Sequence, residues 1–411
     1  MSSFRHGGPI AVTGLGLVSP AGMDVDSNWK TILSGISAAA EDPRLGDIPY
    51  RVTCRAPDFD APSLLGRDQA WRLDRFVQLA LLAARQAVSD AGLDRATWDG
   101  TRVAVVIGSS MGGTATFECQ HVRFLERGAT RVSPMVIPMT LMNMVSGQVA
   151  IDLGAHGPSL TPSTACASGA TAIGIARDLL SQDRCDIAIA GASESCLSPF
   201  AITGLKQMNA LANGTHPPSR ACRPFDADRS GLVMGEAAGI LVLERPADAQ
   251  ARGVPPRALI TGFGASTDAF HPTAPDPSGK SAALAVHAAL LDAGLGPGDV
   301  EHVNAHGTST RLNDASEARL IARVYSSEPS VTSTKGVTGH TLAASGAIEA
   351  AYTVLSIQHG LQPPTANLSR VDDCAGIDLI RDGPRHQTVR AAVSHSFGFG
   401  GHNGVLVIQA T

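Results

Sequence analysis

The chain has 411 residues, 44% of them apolar and 17% charged, with 43 glycines and 25 prolines, so it can bury a large core across two or three domain-sized units. Its net charge of −5 argues against nucleic-acid binding, which draws on a basic surface. No stretch approaches the ~18–20 apolar residues of a membrane span, which argues against a membrane partner, and the start MSSFRHGGPIAVTG lacks the pattern of a signal peptide. The seven cysteines (54, 119, 166, 185, 196, 222 and 374) include no C-x-x-C pair, a usage that points to reduced thiols in a cytoplasm and to no metal site.

Taken in chain order, the predicted elements occur twice. IAVTGLG (10–16) returns as ALITGFG (258–264), and ALLAARQAVSDAGL (80–93) as ALAVHAALLDAGL (283–295). The apolar run VAVVIGSSMGG (103–113) is matched by VEHVNAHGTST (300–310), STACASG (163–169) by STKGVTGH (333–340), and DIAIAGASES (186–195) by AAVSHSFGFGG (391–401). Each copy reads strand, helix, strand, helix, strand. VAVVIG and IAIAG are short Val/Ile runs bounded by glycine, as strands buried on both faces require. FVQLALLAARQAVSDAGL is a helix of period 3.6 that ends at Gly92. SGATAIGIARDLLSQ is small and apolar nearly all round, which predicts a helix buried between layers. The fold class is therefore α/β: two similar halves, 1–257 and 258–411, whose two mixed sheets sandwich a pair of central helices. The first half carries the longer insertions, and polar, Pro-rich loops at 197–257 link the copies. TGLGLVSPAG (13–22) lacks the spacing of a dinucleotide loop and reads as a strand-to-loop turn.

Cys166 stands among small residues at the predicted start of the helix 167–181, where unpaired N–H groups and the helix dipole stabilise a thiolate. The small neighbours leave room for a substrate carbonyl. Most of the 13 histidines, among them His6, His121 and His216, read as surface or satisfied core groups. His306 and His340 differ, because each follows a predicted strand end or sits in a Gly-rich turn of the second copy, where α/β sheets display functional groups. The duplication sets the 333–340 turn opposite the 163–169 turn, so a thiol and two imidazoles converge from both halves, a set suited to nucleophilic catalysis. Only four of the 32 basic residues are lysines, and Lys335 lies five positions before His340; a buried lysine there needs a carboxylate such as Glu349. In SFGFGGHNG (396–404), glycines let a backbone N–H approach a reacting oxyanion, with Phe397 and Phe399 as movable apolar covers.

With GPSLTPSTACASGA, RPFDADRSGLVMGEAAG, NAHGTSTRLNDASE, STKGVTGHTLAASGAIEA and SFGFGGHNG in this order, nearly the whole chain resembles the chain-elongating β-ketoacyl-acyl carrier protein synthases of the thiolase-like superfamily. It is similar in particular to type II fatty acid condensing enzymes and actinobacterial polyketide ketosynthases. The resemblance implies an α-β-α-β-α sandwich that is dimeric, either a homodimer or a heterodimer with a chain-length factor. It implies Cys166 as the acyl-accepting nucleophile, and His306 and His340 as the pair that promotes malonyl decarboxylation and holds the enolate oxygen. Lys335 would tune that pair with Glu349 as its partner, and the N–H groups of Cys166 and Phe399 would form the oxyanion hole. Phe399 would also gate the acyl pocket, Thr308 and Thr310 would touch the phosphopantetheine arm, and Met111 would line the pocket near the dimer interface. No cofactor is implied beyond that arm, which the acyl carrier protein carries. Departures fall at Phe270, Arg311 and His402, and Arg67, Arg72, Arg123, Arg127 and Lys206 form a candidate patch for an acidic carrier protein. The rival readings are a non-catalytic chain-length factor, which would lack the nucleophile, and a Cys-His thioester hydrolase, which needs one base and an admitted water.

Overall fold

The duplicated glycines of TGLG and TGFG show how the layers assemble. In the computed structural model, which describes residues 8–214, 217–372 and 376–411, both motifs lie inside strands: β1 (Ile10–Val18) and its counterpart Ala258–Thr267. His6, His216 and Cys374 lie outside the described residues. A Cβ on Gly14 or Gly16 would come within 2.2 Å or 1.9 Å of the carbonyl oxygens of Ala87 and Ala83 in α1 (Arg75–Asp90). In the second copy, Gly262 and Gly264 stand in the same relation to Ala289 and Ala285. The pair of glycines lets an outer helix lie directly on the sheet. The stretch 13–22 runs from strand into turn as expected: Gly14 and Gly16 sit within β1, next to an irregularity in its register, and Ser19 and Gly22 close the turn that follows.

The first half continues with β2 (Val103–Gly108), α2 (Thr114–Arg127), β3 (Ser159–Leu160), α3 (Ser168–Ser181), β4 (Ile187–Glu194), α4 (Pro199–Gln207) and β5 (Ala237–Glu244). The second consists of β6 (Ala258–Thr267), α5 (Lys280–Asp292), β7 (His302–Asn304), α6 (Arg311–Val324), β8 (Ser330–Thr332), α7 (Lys335–Thr338), α8 (Ser345–His359), β9 (Asp378–Leu379), β10 (Ala391–Gly398) and β11 (His402–Gln409). The strand order is β3-β2-β4-β5-β1 in one half and β8-β7-β10-β11-β6 in the other, with β9 added at the second edge. The senses match: the first two junctions of each half are parallel, the others antiparallel. Two differences from the sequence reading stand out. The halves share one sheet, because Ile10, Ala11 and Val12 of β1 pair with Ile260, Leu259 and Ala258 of β6. The segment 197–257 is also more than linker: AAGILVLE within it is the buried strand β5, between β1 and β4.

Between the faces of this folded-over sheet lie α3 and α8, the two central helices. Residues 345–356 of α8 are all buried, and α3 buries ten of its residues. Gly169 and Gly346 set their separation, since a Cβ on Gly169 would lie 2.5 Å from Ala347 N, and one on Gly346 2.9 Å from Ala170 N. Among the described residues, no helix is long and apolar enough to cross a membrane.

Candidate active site

Each half delivers its part of the site from the end of a strand or helix. Cys166 precedes α3 in a tight turn: Ala167 N donates to Thr164 O (3.0 Å), Ser168 N to Ala165 O (3.1 Å), and Ala165 adopts φ +50°. A side chain in that left-handed region costs about 1 kcal/mol or more, a strain the surrounding packing must hold. His306 follows β7, and Glu317 of α6 fixes its loop by accepting from the N–H groups of His306 and Gly307, both at 2.7 Å. Lys335 opens α7, and His340 lies between α7 and α8.

These side chains converge. Cys166 Sγ and one nitrogen of each of His306 and His340 lie within 4.8 Å of one another, all buried. His340 Nε2 is 3.1 Å from Sγ, and the two imidazoles meet edge-on with centroids 5.3 Å apart. Lys335 is fully buried, with Nζ 3.4 Å from His306 Nδ1, and it also donates to Glu349 Oε1. An ammonium has no lone pair, so His306 Nδ1 must accept and Nε2 carries the proton. At His340, Nδ1 faces Ser345 Oγ at 3.0 Å, and when that hydroxyl donates to Nδ1 the proton stays on Nε2, as at His306. Both imidazoles are neutral, because burial, reinforced by the Lys335 charge, holds them well below the usual histidine value. Two neutral N–H donors thus face one thiol. Burial is also the larger influence on Glu349, lifting it to about 7 against the pull of Lys335.

In this buried site the helix start is not the largest influence on the thiol. Burial pushes the Cys166 thiol up to about 11, although Lys335 and the N–H groups of Phe399 and Cys166 pull it down. If deprotonation limits acylation, the single-turnover rate rises up to tenfold per pH unit from pH 6.5 to 9. Stopped-flow acylation measures this, and a plateau already at pH 7 would contradict it.

A cavity of about 330 Å³ opens onto this centre, walled by Cys166, His306, His340, Phe397 and Phe399. Gly398 brings the final loop onto the nucleophile: a Cβ there would lie 2.7 Å from Thr164 O and 3.0 Å from Cys166 N. Thr308 and Thr310, joined by a 2.9 Å hydrogen bond, line the same cavity with Arg311 beside them. Met111 stands apart from it. Its N–H and that of Ser110 are held by Glu194, and its side chain is 45% exposed. Phe270 is exposed, and His402 pairs in β11 with Thr267 and Gly398. Arg67, Arg72, Arg123 and Arg127 are exposed and Lys206 is half-buried over the Tyr50 ring. Sequence reasoning missed Glu194, a buried carboxyl that burial raises to about 7, and it missed the Glu317–His395–Tyr325 group behind His306.

The β-ketoacyl synthase N-terminal domain model matches residues 8–249 and the C-terminal domain model residues 257–369. The chain is 40% identical over 405 residues to 3-oxoacyl-[acyl-carrier-protein] synthase 2 of Staphylococcus aureus (strain COL), covering 97% of this chain and 98% of that protein. Among solved structures, the ishigamide ketosynthase/chain length factor superposes with a TM-score of 0.91 at 30% identity, covering 98% of this chain and 99% of that one. A ketosynthase solved with its type II polyketide synthase acyl-carrier protein and a bound hexaketide gives 0.90 at 29% identity, with the same coverage. With both domain models matched in order and a relative this similar over its whole length, the chain belongs to the β-ketoacyl synthase family.

Proposed function

We infer that the protein is an acyltransferase that carries out decarboxylative Claisen condensation between a Cys166-bound acyl chain and malonyl-acyl carrier protein, in fatty acid or polyketide biosynthesis. The observation that carries this reading is the meeting of one thiol with two imidazoles, each with Nδ1 engaged by a neighbour, so that Sγ and one nitrogen of each ring lie within 4.8 Å of one another. Cys166 Sγ attacks the acyl thioester, the carrier-protein thiol leaves with the proton, and the new thioester oxygen rests on the N–H groups of Cys166 and Phe399. Malonyl thioester then loses carbon dioxide, and the enolate oxygen accepts from His306 and His340. The enolate carbon attacks the acyl carbonyl, the C–S bond breaks, and Cys166 is regenerated. Lys335, with Glu349 as counter-charge, holds the His306 tautomer. Its ammonium beside His306 also opposes any cation at this donor set, so the cycle is read without a metal.

Thr308 and Thr310 suit the amide-rich phosphopantetheine arm, Phe397 and Phe399 cover the acyl site, and the carrier protein brings the arm to the cationic surface. A partner subunit is the natural cover for α2, which buries none of its residues and exposes Phe117, Phe124 and Leu125, and for the open edge strand β3. That partner is a second copy or a chain-length factor, and the exposed Met111 precedes α2 by three residues. The reduced cysteines among the described residues suit a cytoplasmic protein.

The test supplies acyl-carrier proteins of several chain lengths with malonyl-carrier protein and follows products by intact mass. A 3-ketoacyl product two carbons longer supports the reading; no acyl mass on Cys166, or hydrolysis without extension, overturns it. His340→Ala is expected to keep acylation while condensation falls 10²–10³-fold, since one donor of such a hole is worth ~2.7–4 kcal/mol. Loss of acylation alone would contradict these roles.

A further inference from the structure

Behind His306 lies a second buried histidine for which the cycle above has no task. His395 of β10 is fully buried, as are Glu317 within α6 and Tyr325 just past its end. Tyr325 Oη is 2.8 Å from His395 Nε2, and His395 Nδ1 is 3.1 Å from Glu317 Oε1. Glu317 Oε1 and Oε2 are the atoms that accept from the N–H groups of His306 and Gly307. The carboxylate accepts these two bonds and has no proton of its own to give. The imidazole must therefore donate through Nδ1, and Nε2 shares its hydrogen bond with the Tyr325 hydroxyl. One ring thus closes a chain of four groups, phenol to imidazole to carboxylate to the backbone that carries His306.

A second path joins the same residues. The His395 ring lies against Phe397, with centroids 5.3 Å apart, and Phe397 meets the His306 ring edge-on at 5.9 Å. His395 therefore bears on His306 both through the backbone at its Cα and through the face of its ring. Cys166 and His340 have their own supports in the Thr164–Ser168 turn and Ser345, which His395 does not touch.

Resting on the condensing activity inferred above, we propose that His395 is a positioning residue for condensation, holding His306 through Glu317, so that loss of its hydrogen bonds falls on extension rather than on acyl transfer to Cys166. His395→Leu removes both hydrogen bonds at similar volume. His395→Gln keeps one donor and one acceptor, and Tyr325→Phe removes only the bond to Nε2. The experiment measures, for each variant, single-turnover acylation of Cys166 by acyl-carrier protein and, separately, extension of the preloaded acyl enzyme by malonyl-carrier protein.

For His395→Leu, acylation stays within about twofold of the parent while extension falls by about 10–100-fold, as expected when a reacting group is misplaced by a fraction of an ångström to an ångström. His395→Gln recovers most of that loss, and Tyr325→Phe lies between. Parallel loss of both steps, retention of both, or a Gln variant no better than Leu would overturn the proposal. If His395→Leu does not fold, Tyr325→Phe alone decides by the same split between the two steps. Failure of the unsubstituted protein to extend any chain would instead overturn the condensing activity itself.

Discussion

Cys166→Ala abolishes chain extension, by at least about 10⁴-fold, yet leaves decarboxylation of malonyl-carrier protein running. The loss is this large because, among the described residues, Cys166 alone brings a thiol to within 4.8 Å of both imidazoles. Decarboxylation survives because its machinery comes from the second half of the chain. His306, His340, Lys335 and Glu349 keep their own supports, in the Glu317 carboxylate, Ser345 and the buried ion pair. Labelled carbon dioxide release, read beside 3-ketoacyl product, separates the two steps. Loss of both together would mean that the thiol also takes part in handling malonate.

Lys335→Met has the second largest effect, on stability as well as on rate. The substitution leaves Glu349 buried with no counter-charge, and breaking a buried ion pair in this way costs about 3–5 kcal/mol. It also frees His306 Nδ1, so the ring no longer has one fixed tautomer, a loss worth up to ~10⁴ in rate where an imidazole depends on it. The stability loss has a definite pH sign. Burial already raises Glu349 from 4.5 to about 7 with Lys335 beside it, and removing the lysine raises it further. A carboxyl whose folded value lies above its unfolded value binds its proton more tightly when folded, so its ionisation opposes folding as pH rises. Relative to the parent, the variant is therefore weaker at pH 8 than at pH 6. Lys335→Met/Glu349→Gln recovers most of the stability and none of the condensation. Denaturant titration at the two pH values, with the extension assay, checks each part. Recovery of activity in the double variant would mean that Lys335 serves only to neutralise Glu349.

How much of this was legible in the sequence depends on how local each signal is. The duplication could be read because strand-helix-strand order and glycine pairs repeat in short windows, and it placed Cys166 opposite Lys335 and His340. Strand β5 escaped, because AAGILVLE follows loops rich in glycine and proline, and the start of its counterpart in the other half, β11, was read as part of a glycine-rich loop. The thiol's protonation is not legible locally for a physical reason: Lys335 and nearby N–H groups lower it, but desolvation, which the whole fold sets, outweighs them. His395, Glu317 and Tyr325 escaped because their hydrogen bonds join residues 70 and 78 positions apart, and no pattern in one segment announces them. Met111, expected in the pocket near the dimer interface, is 45% exposed in the single chain, and Glu194 holds its turn through backbone bonds.

The two glycines at which α3 and α8 touch, Gly169 and Gly346, bear on how such a protein diversifies. Backbone lies on backbone there, so the spacing between the thiol's helix and the helix that follows His340 has no side chain through which it can drift. The cavity's outer walls come from elsewhere, in the stretches around Leu205–Leu232 and Asp268–Gly279. Substitutions in those stretches reshape what is admitted without disturbing the distance between thiol and imidazole. Descent can therefore try new substrates against a fixed reaction, at little risk to the chemistry itself.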